Sequence, residues 1–253
     1  MAATLPERVA VVSCHVERLL VDAVWERFSE LQRRRPGGFA IAALLRPADP
    51  AFGEDEQAWL ARARDAATHG PLGHHTHWTA PDHARPTAGG TGARVLAEGR
   101  RLRELGLSPA LFCGGGWYTD VAVAEACAEL GYLDCTPRAR RPPYLRDGAP
   151  WVALAEPALI ALPSGATLAA VPTTHSLGDL ARSLARRSLP GVVHVYLHDT
   201  DLLDRRRRSL VSVVLRALAR RRRPADPVAL ARALTGTTPI AWEDVARPAR
   251  DVG

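Results

Sequence analysis

The chain contains no lysine, so all 33 of its basic residues are arginine. That absence excludes a phosphate loop, which needs a lysine directly after its glycines. It also excludes a two-metal centre bridged by a carbamylated lysine. Cysteine is scarce and scattered: Cys14, Cys113, Cys127 and Cys135 form no CxxC pair. The start, Met1 to Arg8, lacks a basic stretch followed by an apolar core, and the first apolar run, Val9 to Val12, is only strand-length. These features predict a cytoplasmic protein with reduced thiols rather than a disulfide framework. No apolar run approaches the roughly 20 residues that cross a bilayer. No Gly-x-Gly-x-x-Gly opens the first helix, so a dinucleotide-binding fold has no support.

Charge of one sign dominates, with a formal net charge of +6. The runs Arg205 to Arg208 and Arg220 to Arg223 flank an apolar pattern of helical spacing: Leu210, Val213, Val214, Leu215 and Leu218. They read as the solvated ends of that helix. Alanine, glycine and proline are abundant beside arginine, a bias that suggests GC-rich coding more than selection for polyanions. Nucleic acid is therefore not an expected partner, whereas an anionic substrate stays open.

The chain has 253 residues, 47% of them hydrophobic, enough for one large α/β domain or two small ones. No repeat, low-complexity linker or composition shift divides it, so one domain over 1–253 is expected. Strand-like runs lie at 8–14, 39–45, 110–113, 132–135 and 191–197. Helical patterns at 19–35, 55–67, 91–105, 120–130, 177–187 and 227–234 separate them. Two short strands, 158–162 and 167–171, are joined by Pro163-Ser-Gly-Ala. Alternation of this kind predicts right-handed βαβ units and a parallel sheet.

One stretch organises the rest: Gly70-Pro-Leu-Gly-His-His-Thr-His-Trp78. It reads as a buried strand opening onto a Pro-rich loop. Residues two apart on a strand share a face. His75 and His77 thus offer two imidazoles to one cavity, and His74 and Thr76 face away. Two convergent imidazoles are half of a zinc-type site. Other polar residues also cluster after strands: His15 and Glu17, Gly114 to Tyr118, and His198 to Asp201. A barrel presents functional groups in this way, on the C-terminal rim of its strands. Taken singly, several have plainer readings. Glu17 suits the first turn of a helix. His194 shares the parity of His198 within its strand and reads as a core histidine. His175 fits a loop or a site. His69, His74 and His83 read as surface or supporting residues, with His83 a reserve ligand. Buried thiols such as Cys14 and Cys113, which flank the proposed site, are usually packing.

Together, these rim segments resemble the polysaccharide deacetylase family (NodB-like, carbohydrate esterase family four). The resemblance covers most of the chain. It implies a distorted (β/α) barrel of about seven parallel strands. It also implies metal-dependent removal of N-acetyl groups from sugars or sugar conjugates, commonly with zinc. His15-Val-Glu17 stands where the family has an acidic pair, base first and ligand second. His75-Thr-His77-Trp78 is similar to a His-x-His branch. Phe112 to Tyr118 stands at the arginine motif, and Tyr196-Leu-His198-Asp199 at the last histidine. The implied ligands are Glu17, His75 and His77. The implied catalytic groups are His15 as base and His198 as acid, with Asp199 or Asp201 holding the His198 ring. Trp78, Gly115, Trp117, Tyr118 and Asp201 would contact the substrate. Two departures are plain: His15 replaces the aspartate base, and Cys113 the arginine that steadies it. A non-catalytic glycan-binding relative on the same scaffold is the alternative reading.

Overall fold

The computed structural model describes residues 8–87, 89–143, 145 and 148–247. The start at 1–7, part of the loop at 137–148 and the end of the polar tail lie outside the described residues.

The chain begins with β1 (Val9–Val16), α1 (Asp22–Arg34), β2 (Ile41–Leu45), α2 (Glu56–His69) and β3 (Leu72–Thr76). It continues through α3 (Thr91–Glu104), β4 (Leu111–Gly114), α4 (Val121–Glu129) and β5 (Leu133–Asp134). Next come β6 (Trp151–Val152), β7 (Ala158–Ala161), β8 (Thr167–Ala170), β9 (His175–Ser176) and α5 (Leu177–Arg186). Then follow β10 (Val192–His198), α6 (Arg205–Ala219), β11 (Arg223–Pro224) and α7 (Pro227–Leu234). The last elements are β12 (Ile240–Ala241), α8 (Trp242–Val245) and β13 (Ala246–Arg247).

Local chemistry sets the helix ends. Asp55, Asp120, Asp204 and Asp226 accept backbone N–H bonds in the first turns of α2, α4, α6 and α7. Ser176 and Asp179 form a reciprocal capping box on α5. At the end of α1, Arg35 turns left-handed and Pro36-Gly37-Gly38 follows. Gly37 has φ +70°, and a Cβ there would lie 2.7 Å from the Leu215 carbonyl oxygen of α6. Only glycine lets this turn seat against that helix.

The main sheet runs β12-β7-β8-β5-β4-β3-β2-β1-β10-β9, with β11 beside the start of β1. From β8 to β9 every pairing is parallel. The fold is thus mixed α/β with a mostly parallel sheet. Two details differ from expectation. The pair β7 and β8 is antiparallel, because a short proline-led turn joins them without a crossover helix. The sheet is also not closed: among the described residues β9 and β12 end the ladder without pairing to each other. Each contributes only two residues.

Alternation on the strands sorts the core into two faces. Ala10, Val12, Cys14 and Val16 pack with Val24, Phe28, Leu60, Val211 and Leu215 of the covering helices. Val9, Val11, Leu44, Leu111, Cys113, Trp117 and Tyr196 pack on the inner face. Cys14 therefore belongs to the outer layer and does not flank the site, since it lies one residue off the parity of His15. No helix among the described residues is long and apolar enough to cross a membrane.

One buried acid carries a pH signature. Asp134 is 1% exposed and accepts from the Thr136 backbone N–H at 2.8 Å. Burial pushes its carboxyl up to about 6, against an ordinary 3.8. A raised carboxyl favours the fold while protonated, so its contribution is complete below the ordinary value and is lost as pH rises through 6. The shift corresponds to about 3 kcal/mol. Asp134→Asn keeps the acceptor oxygen and should flatten this part of the stability–pH curve between about pH 4 and 7. Urea titrations of both proteins across that range check it, and parallel curves would refute it.

Candidate metal centre

Parallel pairing brings the rim residues together. His15 lies in register with His198 across β1 and β10, and His75 with Cys113 across β3 and β4. Glu17 follows β1 and is held by its own backbone: Asp199 Oδ2 accepts the N–H groups of Glu17 at 3.0 Å and Arg18 at 2.8 Å.

One Glu17 oxygen is the focus. Its Oε1 lies 3.6 Å from His75 Nε2, 3.6 Å from His77 Nε2 and 3.7 Å from His198 Nε2. These spacings exceed hydrogen bonds, which run at about 2.7–3.2 Å. Those to His75 and His77, which form one donor set with Glu17, lie near the edge of a tetrahedron around an ion with bonds near 2.0–2.1 Å, about 3.4 Å. The other ring nitrogens are already committed. His75 Nδ1 donates to the Cys113 carbonyl at 2.7 Å, and His77 Nδ1 to the Pro81 carbonyl at 2.7 Å. A carbonyl only accepts, so Nδ1 carries the proton and Nε2 keeps a lone pair. Both Nε2 atoms are buried without a hydrogen-bond partner. Orphaned lone pairs of this kind cost free energy unless something fills the gap. The donor set therefore fits a divalent cation, with ring orientation fixed in the way metal ligands usually are.

Electrostatics agree. Burial opposes ionisation of Glu17, and positive charge on His75 and His77 would outweigh it and hold the carboxyl far below its usual range, a role that falls to a bound cation when both rings are neutral. His75 is pushed down by burial, and the His77 charge adds to this against Glu17. His15 is pushed down by burial and by the charges of His75 and His198. Its ring lies 4.7 Å from that of His75 and 5.5 Å from that of Trp117, centroid to centroid. A second donor set, His15, His75 and Cys113, also lies within 4.8 Å and shares His75 with the first. Burial pushes the Cys113 thiol up, away from the thiolate a metal needs.

A cleft of about 370 Å³ opens above these groups, lined by His15, Glu17, His75, His83, Trp117 and His198, among others. Several expected residues sit elsewhere. Trp78 is buried, gives its indole N–H to the Gly115 carbonyl at 2.8 Å and packs edge-on against Tyr118. Tyr118 donates to Asp120 at 2.6 Å. Gly115 cannot face a substrate, since a Cβ there would lie 2.5 Å from both the Ala84 and Thr76 carbonyl oxygens. The glycine run seats the loop at 80–86 on the end of β4, and Gly114 and Gly116 line the cleft instead. Neither acid holds the His198 ring. Asp199 is fully buried beneath Glu17, and Asp201 accepts from the His198 backbone N–H and from Arg207. The short turn at Asp199–Leu202 directs both carboxylates back to backbone.

His194 is a satisfied inner histidine, bonded to Ser13 Oγ at 2.9 Å. His175 lies between Thr174 and Ser183. His74, on the far face of β3, meets Glu98 at 2.9 Å. Glu98 also accepts from Thr76 and Arg94, and Arg94 donates to the Trp78 carbonyl. This clamp on both sides of His77 was not anticipated, although the i, i+4 pair Arg94 and Glu98 marks it. Arg138, also unanticipated, stacks 4.5 Å from the Trp117 ring centre.

No family model matches the chain, and no curated protein matches it. Among solved structures it is similar to a 4-alpha-glucanotransferase from Thermococcus litoralis, with a TM-score of 0.54 and 11% identity. The match covers 92% of this chain and 39% of that one, and likeness at this level concerns the fold.

Purified protein should hold about one equivalent of a divalent cation, and Glu17→Ala and His75→Ala should each retain less than about a tenth of it. Mass spectrometry of metal content checks this. A wild type that stays empty after incubation with zinc, cobalt or nickel would remove the centre.

Proposed function

We propose that the protein is a metal-dependent hydrolase that removes an N-acetyl group from a sugar or sugar conjugate, on a divergent deacetylase-like, incompletely closed barrel. The observation that carries this reading is the single Glu17 oxygen ringed by imidazole nitrogens at the floor of an open cleft. A divalent cation such as zinc, held by Glu17, His75 and His77, supplies Lewis acidity toward the acetyl carbonyl and eases ionisation of water. The chain supplies the rest. Water adds to the carbonyl carbon, the C–N bond breaks, acetate leaves, and the amine nitrogen takes a proton. His15 is placed to accept the proton from water. His198, with its side chain 37% exposed at the cleft, is placed to deliver one to the amine from Nε2. Trp117 offers an apolar wall beside them.

A second reading has its own support. His15 is buried, and its surroundings hold it neutral and weakly basic. A glycan-binding relative without turnover would tolerate that. His15→Asp paired with Cys113→Arg separates the two: activity gained marks a decayed enzyme, and activity lost marks a rewired one.

Metal-loaded protein should release acetate from at least one class of N-acetylated sugar. His198→Gln should lower kcat by about 100-fold or more while metal content stays unchanged. Absence of acetate release across free, nucleotide-linked, lipid-linked and polymeric N-acetyl sugars would reject catalysis.

A further inference from the structure

One arginine run, Arg220 to Arg223, contributes to a feature that the proposed chemistry does not use. At the opposite end of β1 and β10 from the histidines, Arg8, Arg187, Arg221 and Arg222 line one depression of about 580 Å³, with Leu189 and Gly191. Arg8 directly precedes β1, Arg187 caps the end of α5, and Arg221 and Arg222 follow α6. Among the described residues no carboxylate lines the depression. In sequence, Glu7 directly precedes Arg8 and Asp226 lies four residues past Arg222, while residues 205–223 include nine arginines and no Asp or Glu.

The floor is built. Arg222 is 9% exposed. Its guanidinium donates to the carbonyls of Leu189 at 2.8 Å, Pro190 at 2.7 Å and Arg221 at 2.9 Å. Arg221 donates to the Leu184 carbonyl at 2.9 Å. These acceptors fix the two side chains without cancelling their charge. Arg8 and Arg187 have no carboxylate partner among the described residues, and both are exposed on the rim. Burial, then the charges of Arg8 and Arg221, push the Arg222 guanidinium down. Mutual repulsion is thus part of the native state here, and a bound anion would relieve it.

We propose that this depression is a receptor for one phosphoryl group, presented by free phosphate or by a small phosphate monoester. Planar guanidinium forks match phosphate oxygens, and several together bind far better than one. Convergence on a single hollow favours a small ligand over nucleic acid, whose regularly spaced phosphates call for a track of cations. The site lies away from the metal centre and is independent of it.

Calorimetric titration of full-length, metal-loaded protein with inorganic phosphate at low ionic strength tests the proposal. Binding with a sub-millimolar Kd is expected, with at least a tenfold loss in the double variant Arg8→Ala, Arg187→Ala. Both side chains are exposed, and Arg187→Glu alone gives a second variant should the double one misfold. Glu17→Ala should bind phosphate normally. A nucleoside monophosphate should compete with phosphate, whereas free phosphate alone binding would assign the simpler ligand. Phosphate binding unchanged in the arginine variants, or lost in Glu17→Ala, would overturn the proposal. So would a 20-residue oligonucleotide binding far more tightly than phosphate and losing that binding in the double variant.

Discussion

The candidate site depends on how Glu17 is held. Its half-buried carboxylate would be costly without positive charge or hydrogen-bond donors. Its backbone N–H is fixed by Asp199, a fully buried acid from the turn after β10. The β1–β10 pairing therefore does two things at once. It puts His15 beside His198, and it brings the acid that orients the next rim residue. His75 of β3 and His77 just beyond it then approach the same oxygen from the other side, each with its outer nitrogen tied to a carbonyl. Two lone pairs and one carboxylate oxygen face a common point, and no proton donor is left among them. A cation answers that arrangement better than a proton does.

The support behind β3 follows from the same alternation. Inward His75 requires outward His74 and Thr76, and those two need partners in the helix layer. Glu98 and Arg94 of α3 provide them and reach on to the Trp78 carbonyl. The glycine run after β4 lets the loop at 80–86 lie flat on the strand end, so that Pro81 can receive His77. Trp117 takes a left-handed backbone, φ +63°, which is uncommon for a bulky residue and is often retained at ligand-contacting positions.

Periodicity made much of this legible from sequence. The i, i+2 relation was enough to send His75 and His77 inward and His74 outward, and parity alone identified His194 as a core residue. The βα alternation predicted the parallel sheet, and the proline-glycine breaks predicted the helix ends. What stayed hidden depends on side-chain direction after an element stops. Asp199 and Asp201 follow a strand immediately, and the turn there points them at backbone N–H groups instead of the His198 ring. Trp78 lies one residue past His77 in the direction opposite to the cleft, so the outer layer takes it. Openness of the sheet was equally illegible, since it rests on pairings between two-residue strands far apart in sequence.

Charge distribution links the two ends of the molecule. In parallel α/β units, helix N-termini gather at the rim where strands end. The capping acids Asp55, Asp120, Asp204 and Asp226 begin helices, and arginines close α1, α3, α5, α6 and α7. Helix dipoles favour both placements. The histidine rim thereby gains capping carboxylates, although Arg205 to Arg208 also open α6 there, and the opposite rim gains the arginines that close the helices. The dipole accounts for single arginines at helix ends, where solvent and carbonyls suffice. It does not account for four converging on one hollow: each added guanidinium repels the others more than one helix end can offset. A charge-balancing ligand would supply what the described residues around the hollow do not.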